Sequence, residues 1–344
     1  MADPVLEVTP LGSRWATVDP FLFCVHHVDH YPAGNESLGP RASLAGRDLG
    51  QDFDGIDGWR MYHGLTVPGF PQHPHRGFET VTFVRRGFID HSDSLGATAR
   101  FGRGDVQWLT AGRGINHSEM FPLLDPDAPN PLELFQIWLN LPATAKLVDP
   151  YFTMLWNEDL PRHVITDANA RTTQVTVIAG ELAGVRPPPP PPDSWASRPE
   201  SDLAIWHIAA EAGARFELPP AAGPDTVRVL YVFDGAARIG DHDLVASTGA
   251  RLAPDDAVSI DAGSDGADML VLQGRPIGEP VAQYGPFVMN DRAGIEQALA
   301  DYRETGFGGW PWPVDDPVHE RSAARFARDP SGALQVPEPV ISRG

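Results

Sequence analysis

From residue 79 onward the apolar side chains come in short runs broken by Gly, Pro and Asp, a rhythm that suits strands better than helices. Glu79–Val84 and Asp105–Leu109 each predict a strand. Leu132–Leu141 is apolar on both faces and predicts a strand enclosed between packed layers. Pro and Asp residues across Leu123–Pro131 mark a loop before it. A second β-rich half begins near Thr172–Gly180 and continues at Leu203–Ile208, Val227–Phe233 and Met269–Leu272. Six prolines, Pro187–Pro192, interrupt it and predict a stiff, extended surface loop, either a spacer or a dock for a proline-binding partner. The first 70 or so residues read as turn-rich, with Pro32–Asn35 and Asp-Gly pairs at Asp54 and Asp57. One helix is expected late: Asn290 or Asp291 caps it, Ile295, Leu299 and Tyr302 form its apolar stripe, and Gly306 ends it. The tail after Trp312 shows little periodicity and is expected to wrap over the domains.

At 344 residues the chain is long enough for two domains. Its 34 glycines and 35 prolines reinforce the reading of many short strands joined by turns. The net charge of −20 argues against non-specific binding of nucleic acid and against docking on anionic lipid. No apolar stretch reaches the roughly 18 residues needed to cross a bilayer. Met1–Glu7 lacks the basic and apolar regions of a signal peptide, and Cys24 is the single cysteine. A reducing cytoplasm is therefore the expected location. Lys146 is the only lysine and stands outside any phosphate-loop frame, which disfavours a P-loop and Schiff-base chemistry. Gly112-Arg113-Gly114 resembles a phosphate loop only superficially, because no helix clearly opens after it.

The candidate chemistry lies in two short segments, Gln72–Glu79 and Gly112–Glu119. The first holds His73 and His75, the second His117 and Glu119, each pair two residues apart. In an extended strand that spacing puts both side chains on one face. Two neighbouring strands could then aim three imidazoles and a carboxylate at one point. Such a donor set suits a divalent transition metal with coordination positions left open for chemistry. Glu79 shares parity with His73 and His75, so an unbroken strand would send it to the same cavity. Five candidates then compete for about four positions, and either Glu79 or Glu119 is left as a neighbouring base. The plain alternative is a polar core of His–carboxylate pairs, which is costly for so many buried groups. His26, His27, Asp29 and His30 lie together without a matching distant segment and read as surface or packing residues. His91 and Asp93 fall in an expected turn, with a place at the pocket rim as the other reading. Gln136 and Trp138 share a strand face and read as core, with cavity lining as the alternative. Phe78, Trp108 and Met120 either form an apolar pocket or simply pack, and Cys24 reads as a small buried apolar residue.

His-x-His followed after three residues by Glu resembles the first metal motif of cupin barrels, and Gly104 with Thr110–Gly112 approximates the second. The longer stretches His73–Phe83, Gly104–Ile115, His117–Met120, Gly278–Asn290 and Phe307–Trp312 closely resemble the pirins. The resemblance implies an all-β bicupin, two jelly-roll β-barrels face to face with a short C-terminal helix. The expected divisions are a metal-binding domain over 1–165, a metal-free cupin over 166–290, and the helix and tail over 291–344. The family's ligands carry over to His73, His75, His117 and Glu119, and His207 and His242 stand isolated in the second half. Fe(II) is the implied metal, while Mn, Ni, Co, Cu or Zn also suit these donors. The resemblance further implies a flavonol dioxygenase that opens quercetin with O2 and releases carbon monoxide. Glu119 would then be both ligand and proton acceptor, with Glu79 as orienting neighbour or alternative base. The expected partners are a phenolic substrate and O2. The other implied reading is an iron-dependent redox sensor that co-regulates transcription by binding a protein partner.

Overall fold

The computed structural model describes residues 3–338; the first two residues and the end of the expected tail, 339–344, lie outside the described residues. Strands dominate, and one helix, Arg292–Thr305, follows them. The all-β, two-domain cupin architecture expected from the sequence is what the chain adopts. Two compact units emerge. One takes the chain up to Val25, Trp138–Asn140 and Asp159–Gly278; the other takes His26–Ile137, Leu141–Glu158 and the chain from Glu279 on. They are not consecutive lengths of chain, because Val5–Pro10 pairs antiparallel with Thr248–Leu252 in the sheet of the second half.

That sheet runs Val5–Pro10, Thr248–Leu252, Val227–Ile239, Val258–Gly274, Ala204–Ala210, Thr172–Ala179 and Arg162–Thr166, with Arg215–Leu218 and His242–Val245 paired alongside. Its alternating apolar positions build a core that includes Val177, Trp206, Leu230, Ile260 and Met269. Each isolated histidine here meets a carboxylate: His207 Nε2 lies 3.2 Å from Asp268 and His242 Nε2 2.8 Å from Asp3. Cys24 is buried, as expected.

Most of the other unit lies in two sheets, beside a small ribbon of Ala282–Tyr284 paired with Phe287–Met289. The first orders Leu334–Gln335, Phe326–Arg328, Thr98–Gly102, Phe88–Asp93, Ile115–Met120 and Gly69–His75. The second orders Tyr151–Leu155, Val106–Thr110, Phe78–Arg86, Asn130–Asn140 and Phe21–Tyr31. Ile89 and Phe101 of the first pack in one cluster with Val84, Leu132 and Leu134 of the second, so the inner faces close on a shared interior. The tail does more than wrap. Phe326–Arg328 extends the first sheet beside Thr98–Gly102, and buried Arg100 donates to the carbonyls of His319, Glu320 and Ala323. Asp291 caps the helix by accepting from the Gly294 amide at 2.8 Å, and Gly306 ends it in the left-handed region. Among the described residues no helix is long and apolar enough to cross a membrane.

Candidate metal centre

His73 and His75 occupy the end of Gly69–His75, and His117 and Glu119 lie inside the fully buried strand Ile115–Met120. The two strands are antiparallel neighbours with His73 opposite His117. Alternation then sends all four side chains to the inner face. One ring nitrogen from each of His73, His75 and His117 lies within 4.8 Å of the others. Glu119 Oε2 stands 3.7 Å from His117 Nε2. Among the described residues this is the one cluster of three or more such groups that could hold a metal ion. Two nitrogens ~2.1 Å from one tetrahedral cation stand about 3.4 Å apart, so the widest pair, at up to 4.8 Å, would have to close by about 1.4 Å around a shared ion.

The donor chemistry fits a metal. His73 donates from Nδ1 to the Pro71 carbonyl at 2.8 Å, which leaves Nε2 with its lone pair. His117 is fully buried, and neither of its ring nitrogens has a hydrogen-bond partner. A buried polar group in that state is destabilising unless something binds it. Burial pushes the His73 pKa down to about 4 and holds His75 and His117 well below the ordinary value, so all three are neutral near pH 7. Burial also raises the Glu119 pKa, opposed by nearby His91 and by hydrogen bonds from two side chains. Those two are Gln136, donating from Nε2 to Oε2 at 2.7 Å, and Thr82, donating to Oε1 at 3.4 Å.

Several expectations need correction. Glu79 does not join the cluster. The strand stops at His75, turns at Gly77 (φ 83°), and restarts as Phe78–Arg86 in the opposite sheet. Glu79 there pairs with Thr110 and accepts its hydroxyl at 2.6 Å, on the opposite face of the strand from Thr82. Trp108 lies opposite Val81 on that same outward face, and Met120 packs with Leu38 and Val67 away from Glu119. Phe78 does face inward, its ring 5.1 Å from that of His75. His91 and Asp93 are strand residues rather than turn residues, fully buried and opposite Glu119 and His117 respectively. Gln136 reaches Glu119 rather than packing anonymously, whereas Trp138 packs against Phe23, the rings tilted with centroids 4.2 Å apart. His27 and Asp29 belong to the Phe21–Tyr31 strand, which the turn-rich reading of the first 70 residues missed. Their two-residue spacing around Val28 is the available signal; the flanking His26 and His30 hide it. Lys146 is buried and donates to the Gly77 carbonyl at 2.9 Å, fastening the corner after His75.

Beside Glu119 lies a narrow crevice walled by Phe70, Ile89, Phe121 and Leu134, with His27, Thr82 and Gln136 as its polar members. The crevice is closed, with no room for a water molecule, so these side chains form the packed surroundings of Glu119. A roomier cavity of about 610 Å³ lies between Arg85–Phe88 and Phe121–Leu132 and includes none of the four ligand-type residues.

The Pirin family model matches residues 10–139, and the pirin C-terminal cupin domain matches 205–308. A Pseudomonas aeruginosa protein provisionally named quercetin 2,3-dioxygenase is 38% identical over 240 residues, covering 70% of this chain and 79% of the relative. Human pirin is 34% identical over 281 residues, covering 80% of this chain and 90% of the relative. The crystal structure of a quercetin 2,3-dioxygenase from Acinetobacter baumannii matches with a TM-score of 0.68 at 25% identity, over 89% of this chain and 99% of that one. With both halves matched by family models and the human protein aligned over most of its length, this chain belongs to the pirin family of the cupin superfamily.

Proposed function

We propose that this pirin is a metal-dependent dioxygenase acting on a planar enolic or phenolic substrate, with a flavonol such as quercetin as the first candidate. The observation that carries the reading is the buried cluster of three neutral imidazoles beside Glu119, with His117 lacking any hydrogen bond. His73, His75, His117 and Glu119 would hold the metal, Fe(II) being the proposed ion. Bound there, the metal supplies Lewis acidity toward a substrate hydroxyl and an open position for substrate or O2. Glu119 would be the proton acceptor for that hydroxyl, and in the metal-free protein burial raises its pKa. Gln136 and Thr82 orient it by hydrogen bonds to its two oxygens. The apolar side chains of Phe70, Ile89, Phe121 and Leu134 exclude water from the surroundings of that carboxylate. Names of relatives point the same way, with quercetin 2,3-dioxygenase recurring among the homologues and structural neighbours.

The test is anaerobic loading with Fe(II), elemental analysis, and a quercetin bleaching assay with and without O2. Bleaching that needs both metal and O2, with carbon monoxide released, is the expected result. Full metal occupancy with no turnover on any flavonol would overturn the reading and leave a metal-dependent sensor as the better account.

A further inference from the structure

The open cavity between Arg85–Phe88 and Phe121–Leu132 has no part in the reading above. It holds about 610 Å³ and is lined by none of the four ligand-type residues. Small-molecule sites commonly span ~300–1,000 Å³. Phe88, Phe121 and Leu132 supply apolar lining, and Arg85, Arg86 and Arg103 add three guanidinium groups.

Charge here runs against that of the chain, which carries −20 overall. Arg85 and Arg86 share one carboxylate: Arg85 donates to Glu133 Oε1, and Arg86 Nε lies 3.5 Å from Glu133 Oε2. His26 also meets that carboxylate, at 3.1 Å. Arg103 has no such partner. Among the described residues its side chain makes no ion pair or hydrogen bond, and its guanidinium lies over the Phe88 ring, 4.8 Å from the centroid. Asp125 is the one acidic residue in the lining, and its Oδ1 already accepts from the amides of Asp127 and Ala128 at 2.9 Å. Asn130 is spent in the same loop, donating to the Asp125 and Ala128 carbonyls and accepting from the Asp125 amide. Three guanidinium groups are thus set against two carboxylates, and the surplus charge sits on Arg103.

The backbone holds Arg103 there under strain. Its φ is 56°, a conformation that glycine adopts more easily, in a turn tied by the Gly102 amide donating to Asp105 at 2.8 Å. Glycine would make that bend with less strain; arginine adds a cation beside the cavity.

We propose that this cavity binds an aryl or arylalkyl carboxylate, with its ring against Phe88, Phe121 and Leu132 and its carboxylate on Arg103. One surplus positive charge matches a monoanion. A guanidinium fork pairs with a carboxylate through two parallel hydrogen bonds, and the apolar lining favours a ring over water. Inorganic phosphate would meet the charge and leave the apolar surface uncovered. The site is separate from the metal centre and does not rest on the dioxygenase reading.

The experiment is titration of the full chain, chelator-stripped and again after anaerobic loading with Fe(II). The probes are 2-naphthoate, the neutral 2-naphthamide of the same shape, and inorganic phosphate. Wild type is expected to bind naphthoate about tenfold more tightly than the amide, the size of one charge-assisted pair, and equally well in both metal states. Arg103→Gln should bring that ratio close to unity, and Arg103→Lys, which retains the charge, should keep part of it. Arg292→Gln removes an exposed arginine on the helix, controls for net charge, and should leave the ratio unchanged. A wild-type ratio near one, failure of naphthoate to bind, or phosphate binding as tightly as naphthoate overturns the inference. So does a ratio that Arg103→Gln leaves alone or that Arg292→Gln lowers equally. Naphthoate binding only in the presence of Fe(II) would put the probe on the metal and overturn it as well.

Discussion

Replacing His117 with Leu exchanges an imidazole for an apolar side chain of similar volume at a fully buried position. In the metal-free protein both imidazole nitrogens lack hydrogen-bond partners. A buried polar group left in that state costs ~1–3 kcal/mol. His117→Leu removes that cost, so the metal-free variant should be as stable as wild type or up to ~2 kcal/mol more stable. For a unit of this size 1 kcal/mol moves the melting temperature by ~2–4 °C. The stripped variant should therefore melt at the wild-type temperature or as much as ~4–8 °C above it. Metal reverses the order: at 100-fold excess over Kd, binding adds ~2.7 kcal/mol to wild type, while a variant with two imidazoles gains little. Calorimetry on chelator-stripped samples, repeated after anaerobic reloading with Fe(II), reads both effects. A stripped variant melting well below stripped wild type, with a wild type that metal fails to stabilise, would refute the reasoning. His117 would then be an ordinary packed core residue, and its loss would follow large-to-small and shape-change costs.

Gln136→Leu removes the 2.7 Å donor to Glu119 while leaving the ligand set intact. That bond favours the charged carboxylate, so its loss moves the acid limb of the kcat/KM pH profile upward and lowers turnover by ~10-fold or more, with metal content unchanged on elemental analysis. Glu79→Gln should keep full metal occupancy and Glu119→Gln should lose most of it; the reverse order in metal analysis would show that the carboxylate assignment is wrong. In the metal-free protein His73 is held to about 4, with His75 and His117 also depressed, whereas unfolded imidazoles titrate at ~6.5. The unfolded chain then binds more protons below ~6.5, so stability is full above that pH and is lost as the pH falls toward about 4. A melting temperature measured against pH should show this fall, and His73→Gln should flatten part of it; an identical slope in the variant contradicts the assignment.

The sequence made the strands of the second half and the late helix legible because each has its own local signal. Val227–Phe233 lies within the Val227–Ile239 strand, and the Asp291 cap and Gly306 stop bound the helix as the pattern predicts. Phe21–Tyr31 was not legible, because His26, His27, Asp29 and His30 break the apolar alternation that marks a half-buried strand. Those polar residues are tolerated because tertiary partners satisfy them: Glu133 beside His26, and Tyr62 and Arg60 around His27 and Asp29. Such partners lie between 31 and 107 residues away, out of reach of any periodicity. The same holds for Val5–Pro10, whose partner strand Thr248–Leu252 stands roughly 240 residues further along the chain.

The metal centre shows where a parity argument holds and where it stops. His73 with His75, and His117 with Glu119, each lie within one unbroken strand, so two-residue spacing fixes a shared face. Glu79 has the same parity on paper, but Gly77 intervenes. Its φ of 83° is open to glycine, and a Cβ there would meet the Val288 carbonyl oxygen at 1.9 Å. The Gly77 amide donates to the Gly112 carbonyl at 2.8 Å, and its own carbonyl accepts from Lys146. A corner fastened on both sides delivers the next residues to the opposite sheet, and the alternation restarts there. Phe78 and Thr82 then face the cluster while Glu79 turns away to Thr110. The opposite sheet thus gives the centre no carboxylate from this strand; it gives Thr82 and Gln136, which aim the one that Ile115–Met120 already holds.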